Sequence, residues 1–295
     1  SLWRRSTSSR SPSNGDAVSV DLHLHSVYSD GTDEPAEVVE MALAAGLTTM
    51  ALTDHDGFEG IGVARGSAEG RIGLIPGVEL SVDWDGPGMH LLGWWVEAGS
   101  PLDRELEAIR ESRRSRNIEI IAALNEMGHP ITLEEVERIS IKGVIGRPHI
   151  ARALVDHGVV TTNTEAFDRF LGNGRPAYRG RKRLTVERAV ELVAKSGGVT
   201  AVAHPHTVAD GADGYTAAFR RFAELGIAGV ECWYSEYPAQ QRADMARMAN
   251  RFGLVATGGS DYHGSNKPGI EVGVGRGDLA VPDEVVEALE ARRPR

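Results

Sequence analysis

Short apolar runs in this chain stop, one after another, at a histidine or a carboxylate. Residues 19–25 (Ser19-Val20-Asp21-Leu22-His23-Leu24-His25) read as a strand, with His23 and His25 on one face, Leu22 and Leu24 turned into packing and Asp30 just beyond. Residues 47–53 deliver Asp54-His55-Asp56-Gly57, residues 72–81 carry Glu79 after a Pro76-Gly77 turn, and residues 89–96 have His90 near their start. Further on, residues 199–203 end in His204-Pro205-His206, residues 229–234 carry Glu231, and residues 254–258 run into Gly259-Ser260-Asp261-Tyr262-His263. Helical spacing falls between the runs, at 35–45, 186–195, 216–225, 239–252 and a closing helix at 281–292. Strands alternating with helices predict a mostly parallel α/β sheet whose carboxyl ends form the functional face.

The alternation is interrupted. Residues 102–127 form a long, charged helical stretch, followed by helices at 133–139 (capped by Thr132, with Glu135 three residues on), at 150–157 behind Gly146-Arg147-Pro148-His149, and at 165–171. We expect an all-helical insertion over 100–183, a barrel domain built from 17–99 and 184–295, and a disordered leader over 1–16, rich in serine and arginine. The insertion ends in a cationic run of Arg175, Arg179, Arg181, Lys182 and Arg183.

Composition narrows the classes. No apolar run approaches the roughly 20 residues that span a bilayer, so a membrane partner is not expected. The net charge of −10 argues against broad adhesion to nucleic acid while leaving room for a local basic groove. Cys232 is the lone cysteine, which rules out a disulfide framework or a thiolate zinc cluster and fits a cytoplasmic location. Nothing in the sequence calls for an obligate protein partner.

Converging strand ends would bring together His23, His25, Asp30, His55, Glu79, His90, His204, Asp261 and His263. Nine imidazole and carboxylate side chains without a thiolate suit two or three divalent ions such as Mn²⁺, Fe²⁺ or Zn²⁺, and Glu79 can bridge two of them. Clustered ions activate water, neutralise phosphate oxygens and stabilise a leaving alkoxide. His129 and His157 read as helix-end residues, and His206 is left open.

The ordered motifs His23-Leu24-His25, Thr53-Asp54-His55, Gly77-Val78-Glu79, His90, Ala203-His204-Pro205 and Gly259-Ser260-Asp261-Tyr262-His263 resemble the signature of the PHP (polymerase and histidinol phosphatase) family. That resemblance implies a distorted (β/α)7 barrel with a trinuclear site. His23, His25, Glu79 and Asp261 would hold one metal, Glu79 with His90 and His204 a second, and Asp30, His55 and His263 a third. The helical insertion looks like that of relatives acting on 3′,5′-nucleoside bisphosphates or degrading short RNA from its 5′ end, where it caps the metal site. Arg147 and His149 then read as phosphate contacts, Arg175 and Arg179 as candidates for a second phosphate or an RNA backbone, and Tyr178, Trp233 and Tyr234 as base-stacking surfaces. The expected activity is metal-dependent hydrolysis of nucleotide phosphates or short oligoribonucleotides, with Glu79 bridging and His206 or His263 assisting the leaving oxygen. Histidinol-phosphate phosphatase and a non-catalytic PHP module are the rivals.

Overall fold

The structure, a computed structural model, describes residues 19–84, 88–139, 145–180 and 183–294. The expected leader, together with Arg181 and Lys182 of the cationic run, lies outside the described residues. Barrel strands are β1 (Ser19–Leu24), β2 (Thr49–Leu52), β3 (Gly73–Asp83) and β4 (Met89–Trp94), then β6 (Val199–Val202), β7 (Gly229–Tyr234) and β8 (Val255–Gly259); β5 (Leu184–Thr185) and β9 (Val281–Pro282) are short additions. Helices α1 (Pro35–Ala44) and α2 (Ile61–Ala68) follow β1 and β2. The helical segment holds α3 (Pro101–Glu126), α4 (Leu133–Ile139), α5 (Arg147–Asp156) and α6 (Asn163–Ala166), which continues into a single π turn at Phe167–Leu171. Helices α7 (Val186–Lys195), α8 (Gly211–Glu224), α9 (Ala239–Arg251) and α10 (Glu284–Glu290) complete the chain. No helix among the described residues is long and apolar enough to cross a membrane.

Hydrogen bonding runs β8-β7-β6-β4-β3-β2-β1-β9, and the ring closes where His25 N donates to Tyr262 O at 3.1 Å and Asp261 N to His23 O at 2.9 Å. The result is a distorted seven-stranded barrel, the architecture expected from the motifs. Strand β4 is antiparallel to both β3 and β6, the one reversal in the parallel ring. That reversal explains why His90 sits at the start of its strand: in a reversed strand the first residues, not the last, reach the functional rim.

The interior is filled with side chains. Val20, Leu22, Ala51, Ile75, Leu92, Trp94 and Ala201 form one buried cluster, closed below by Val285 and Leu289 of α10. Trp94 is fully buried, and its indole donates to Leu22 O at 3.0 Å. A second cluster, containing Leu24, Leu52, Val78 and Leu91, packs between strands and helices. A third, with Ile120, Leu124, Ile150, Leu154 and Phe170, belongs to the helical segment alone, while Leu102, Leu106 and Ile109 at the start of α3 pack on the barrel.

Strict alternation along β1 does not hold. Three steps from Asp21 to Leu24 pair with two from Met50 to Leu52, a β-bulge that places one extra residue in β1. Leu22 therefore stays in the barrel interior, Leu24 joins the outer core, and His23 is turned to the rim. Three other elements differ from the sequence expectation. Helix α2 carries Gly62 and Gly66, which hide its periodicity, and α8 begins at Gly211, five residues before the expected start at Thr216. The closing segment spends Val281–Pro282 pairing antiparallel with β1 before α10 begins.

Gly259 lets β8 approach β1. A Cβ there would stand 2.5 Å from His23 Cβ and His23 N, and 2.9 Å from Asp21 Oδ1. Overpacking of this kind costs about 1–3 kcal/mol, so Gly259→Ala is expected to lower the thermal midpoint by roughly 5 °C or more. An unchanged midpoint in scanning calorimetry would show that the strands can part without cost.

Candidate metal centre and phosphate pocket

Glu79 is the hub. It is buried on β3, and its Oε1 lies 2.9 Å from His90 Nδ1 and 2.9 Å from His204 Nε2. Its Oε2 lies 3.1 Å from His25 Nε2 and 3.3 Å from both His23 Nε2 and His55 Nδ1. Among the described residues, three sets of ligand-type atoms lie within 4.8 Å of one another: His23, His25, Glu79 and Asp261; His25, Asp30, His55 and His263; and His55, Glu79 and His90. The first set is the one expected from the motifs. In the other two, His25 joins Asp30, His55 and His263, and His55 takes the place beside Glu79 and His90 that was expected for His204.

Hydrogen bonds behind the cluster fix which nitrogens face it. Glu231 Oε1 lies 2.9 Å from His23 Nδ1, so a neutral His23 carries its proton there and aims the Nε2 lone pair inward. His25 Nδ1 lies 3.3 Å from Ser29 Oγ, whose hydroxyl donates to Asp54 Oδ1 at 2.6 Å, so His25 Nε2 is aimed inward too. These two Nε2 atoms are 3.0 Å apart. His263 Nδ1 donates to the Asp261 carbonyl at 2.9 Å, leaving Nε2 3.3 Å from Asp30 Oδ1. Asp30 Oδ1, His55 Nδ1 and His90 Nδ1 are buried without a hydrogen bond. Inward lone pairs beside the carboxylates of Glu79, Asp30 and Asp261 repel one another unless positive charge sits between them. The donor set therefore fits divalent cations.

The titration of these groups points the same way. Burial works against charge on His23 and His25, yet Asp261, Glu79 and, for His23, Glu231 raise the first well above its usual range and the second to about 10. Burial would raise the carboxyls of Glu79 and Asp261, but the surrounding imidazoles hold both well below the usual carboxylate range. Burial pushes His55 down to about 4. The cluster draws in positive charge, as protons or as metal, and the two compete.

Backbone strain collects at the same rim. Asp56, His204 and Asp261 have positive φ (49°, 28° and 56°), a conformation that costs on the order of 1–3 kcal/mol per residue. Each is held by a hydrogen bond from its own amide: Asp56 N to Glu79 O at 3.0 Å, His204 N to Glu231 Oε2 at 2.7 Å and Asp261 N to His23 O at 2.9 Å. Lys267 Nζ and Tyr234 Oη bond Asp261 Oδ2 at 2.7 and 2.9 Å, while Asp261 Oδ1 faces His23 and His25.

Across from the cluster lies a pocket of about 180 Å³ that Arg113, Arg116, Arg147 and His149 share with Asp30, His55 and His90. An adjoining space of about 120 Å³ adds Arg183, His204 and Thr207. Arg113 pairs with Asp56, whose Oδ1 accepts from Ser81 N at 3.1 Å. Arg116 is buried with an amide neighbour instead, donating to Asn117 Oδ1 at 2.8 Å, and its Nε is unbonded. Burial, and then the charges of Arg113, Arg147 and Arg183, push its guanidinium down to about 9. Arg147 donates to Leu171 O at 3.0 Å and lies 5.6 Å from the ring centres of Phe167 and Tyr178. His149 Nδ1 accepts from Gly146 N at 3.0 Å, so this histidine caps its own helix while lining the pocket.

Arg175 is exposed, Arg179 donates to Pro176 O and Tyr178 O, and neither lines these spaces. His206 sits at the rim with Nδ1 2.9 Å from Tyr237 Oη. Tyr234 is buried beside His204 and His206, and Tyr178 lies against Arg147. Sequence reasoning passed over Arg113 and Arg116, although both fall on the buried stripe Ile109, Arg113, Arg116, Ile120 of α3, where an arginine needs a reason. It noted Glu231 without giving it the role of holding His23.

A carboxylate-and-imidazole cluster at the strand ends of a barrel, faced by buried guanidinium groups, defines a hydrolase of phosphate esters. The chain belongs to the PHP domain family, whose model matches residues 21–252. It is 34% identical over 245 residues to a 5′-3′ exoribonuclease of Haemophilus influenzae, covering 82% of this chain and 89% of that protein. It is 33% identical over 259 residues to a 3′,5′-nucleoside bisphosphate phosphatase of Chromobacterium violaceum, covering 87% and 91%. Among solved structures it resembles a protein of Bifidobacterium adolescentis described as a metal-dependent phosphoesterase, with a TM-score of 0.80 at 29% identity, covering 95% of this chain and 98% of that one.

Proposed function

We propose that this chain hydrolyses nucleotide phosphates, either the phosphate of a 3′,5′-nucleoside bisphosphate or the terminal linkage of a short 5′-phosphorylated RNA. The observation that carries this reading is the position of Arg116: a buried guanidinium without a carboxylate partner among the described residues, in a pocket walled on its other side by the proposed metal-ligand cluster. His23, His25, Asp30, His55, Glu79, His90, His204, Asp261 and His263 would hold two or three divalent ions of the Mn²⁺, Fe²⁺ or Zn²⁺ type. Such ions supply Lewis-acid polarisation of the phosphorus and an ionised water. The chain's own residues do the rest. Arg113, Arg116 and Arg147 bind phosphate oxygens and orient the ester, with His149 adding a donor at the start of α5. His206, with one nitrogen engaged by Tyr237, keeps the other for a proton to the leaving oxygen; His263 is less suited, because its free nitrogen faces Asp30.

The test is hydrolysis of 3′-phosphoadenosine 5′-phosphate beside a 5′-phosphorylated RNA trimer, with Mn²⁺ present and then chelated. Metal-dependent release of phosphate or nucleotide from either is expected. No release from both, in protein shown to carry metal, would overturn the nucleotide reading and turn the search to other phosphomonoesters.

A further inference from the structure

Two spaces of different size meet at Asp30, Pro148 and His149. The inner one, with the arginines, holds about 180 Å³, below the roughly 300–1,000 Å³ of a cleft that takes up a small organic ligand. It has room for a phosphate and little more. The outer one holds about 560 Å³ and runs out between the barrel and the helical segment. Asp30 and His263, both in the ligand set facing Glu79's side of the barrel rim, form part of its wall, so a molecule lying in it has one end at the reacting centre.

The wall has a recognisable chemistry. Arg138 at the end of α4 and Arg152 on α5 stand on the helical side, where Arg152 Nε donates to Asp156 Oδ1 at 2.9 Å, and Lys267, bonded to Asp261 Oδ2, stands on the barrel side. Asn163, Asn266 and Ser265 add neutral donors and acceptors between them. Set against the carboxylates of Asp30, which faces the ligand set, and Asp156, the three cations leave the cleft net positive in a chain of net charge −10, which favours an anionic ligand over a neutral one. The barrel side is also pre-set: Asn266 Nδ2 donates to Asp30 O at 2.8 Å and Ser265 N to Thr32 Oγ1 at 3.0 Å, which tie this lip to the loop carrying Asp30.

We infer that this outer cleft binds the RNA chain beyond the terminal nucleotide, with Arg138 and Arg152 meeting its phosphodiesters. The inference rests on the nucleotide reading above and extends it: the inner pocket takes the terminal phosphate, and the outer cleft sets how much the enzyme gains from a longer substrate. In this placement a bisphosphate held in the inner pocket would not depend on Arg138 and Arg152, whereas an oligomer would.

The experiment compares the metal-loaded protein with an Arg138→Glu/Arg152→Glu variant, on 3′-phosphoadenosine 5′-phosphate and on a 5′-phosphorylated RNA hexamer. Both positions are exposed, and a matching thermal midpoint verifies the fold. The expected result is a fall of about tenfold or more in kcat/KM for the hexamer, with the bisphosphate within about twofold of the parent, and a weaker dependence of the hexamer's KM on salt. Arg138→Gln/Arg152→Gln should fall between the two. Equal effects on both substrates, or none on the hexamer, would overturn the cleft assignment while leaving the nucleotide reading in place. A parent protein inactive on both substrates would overturn the two together.

Discussion

Glu79→Gln is expected to cut turnover by roughly a thousandfold or more and to lower bound metal, while the fold persists. The substitution keeps volume and shape, so β3 need not move, but it removes the one charge that faces five imidazoles at once. Both carboxylate oxygens are committed, Oε1 to His90 and His204 and Oε2 to His23, His25 and His55. An amide presents one oxygen and one NH₂, so at least two of these imidazoles would meet a donor where they now meet an acceptor. With fewer anionic ligands the cluster loses the charge that draws cations in, and the histidines lose the carboxylate that links their groups. Metal content by elemental analysis, measured beside kcat on the bisphosphate, checks both halves. Full metal and full activity would remove Glu79 from the bridging role.

Much of this candidate centre was legible in the sequence because most of the proposed ligands sit at or just beyond a strand end, where an apolar run meets a polar side chain. His23, His25, His204 and Asp261 carry that local signature, while Glu79 lies within β3, marked by the Pro76-Gly77 turn signal before it. His90 carries it in reverse, which only the antiparallel course of β4 explains. What the sequence hid depends on packing rather than pattern. The bulge in β1 puts Leu22 in the interior and Leu24 in the outer core, against simple alternation, and no residue type announces it. Arg113 and Arg116 lie within a helix crowded with charge, where two of many arginines turn inward. Arg175 and Arg179 stood out as a run, yet a run is usually a solvated face, and these two lie on the surface or bond local carbonyls.

Arg116→Met is expected to lower kcat/KM for nucleotide substrates by about a hundredfold, with metal content unchanged and the thermal midpoint equal or higher. The two directions belong together. A charged hydrogen bond from a buried guanidinium to phosphate is worth on the order of 3 kcal/mol, so its loss falls on substrate binding and turnover. The free protein, in contrast, bears a cost for Arg116: a buried cation with an amide for a neighbour, an unbonded Nε and three other guanidinium groups nearby. Methionine fills similar space without desolvating a charge, and replacing buried charge by apolar volume is often neutral or stabilising. An arginine kept for structure would behave in the opposite sense, with the midpoint falling and activity following it down. Calorimetry and steady-state kinetics on one preparation therefore separate the roles, and a destabilised variant of undiminished kcat/KM would remove Arg116 from the phosphate pocket.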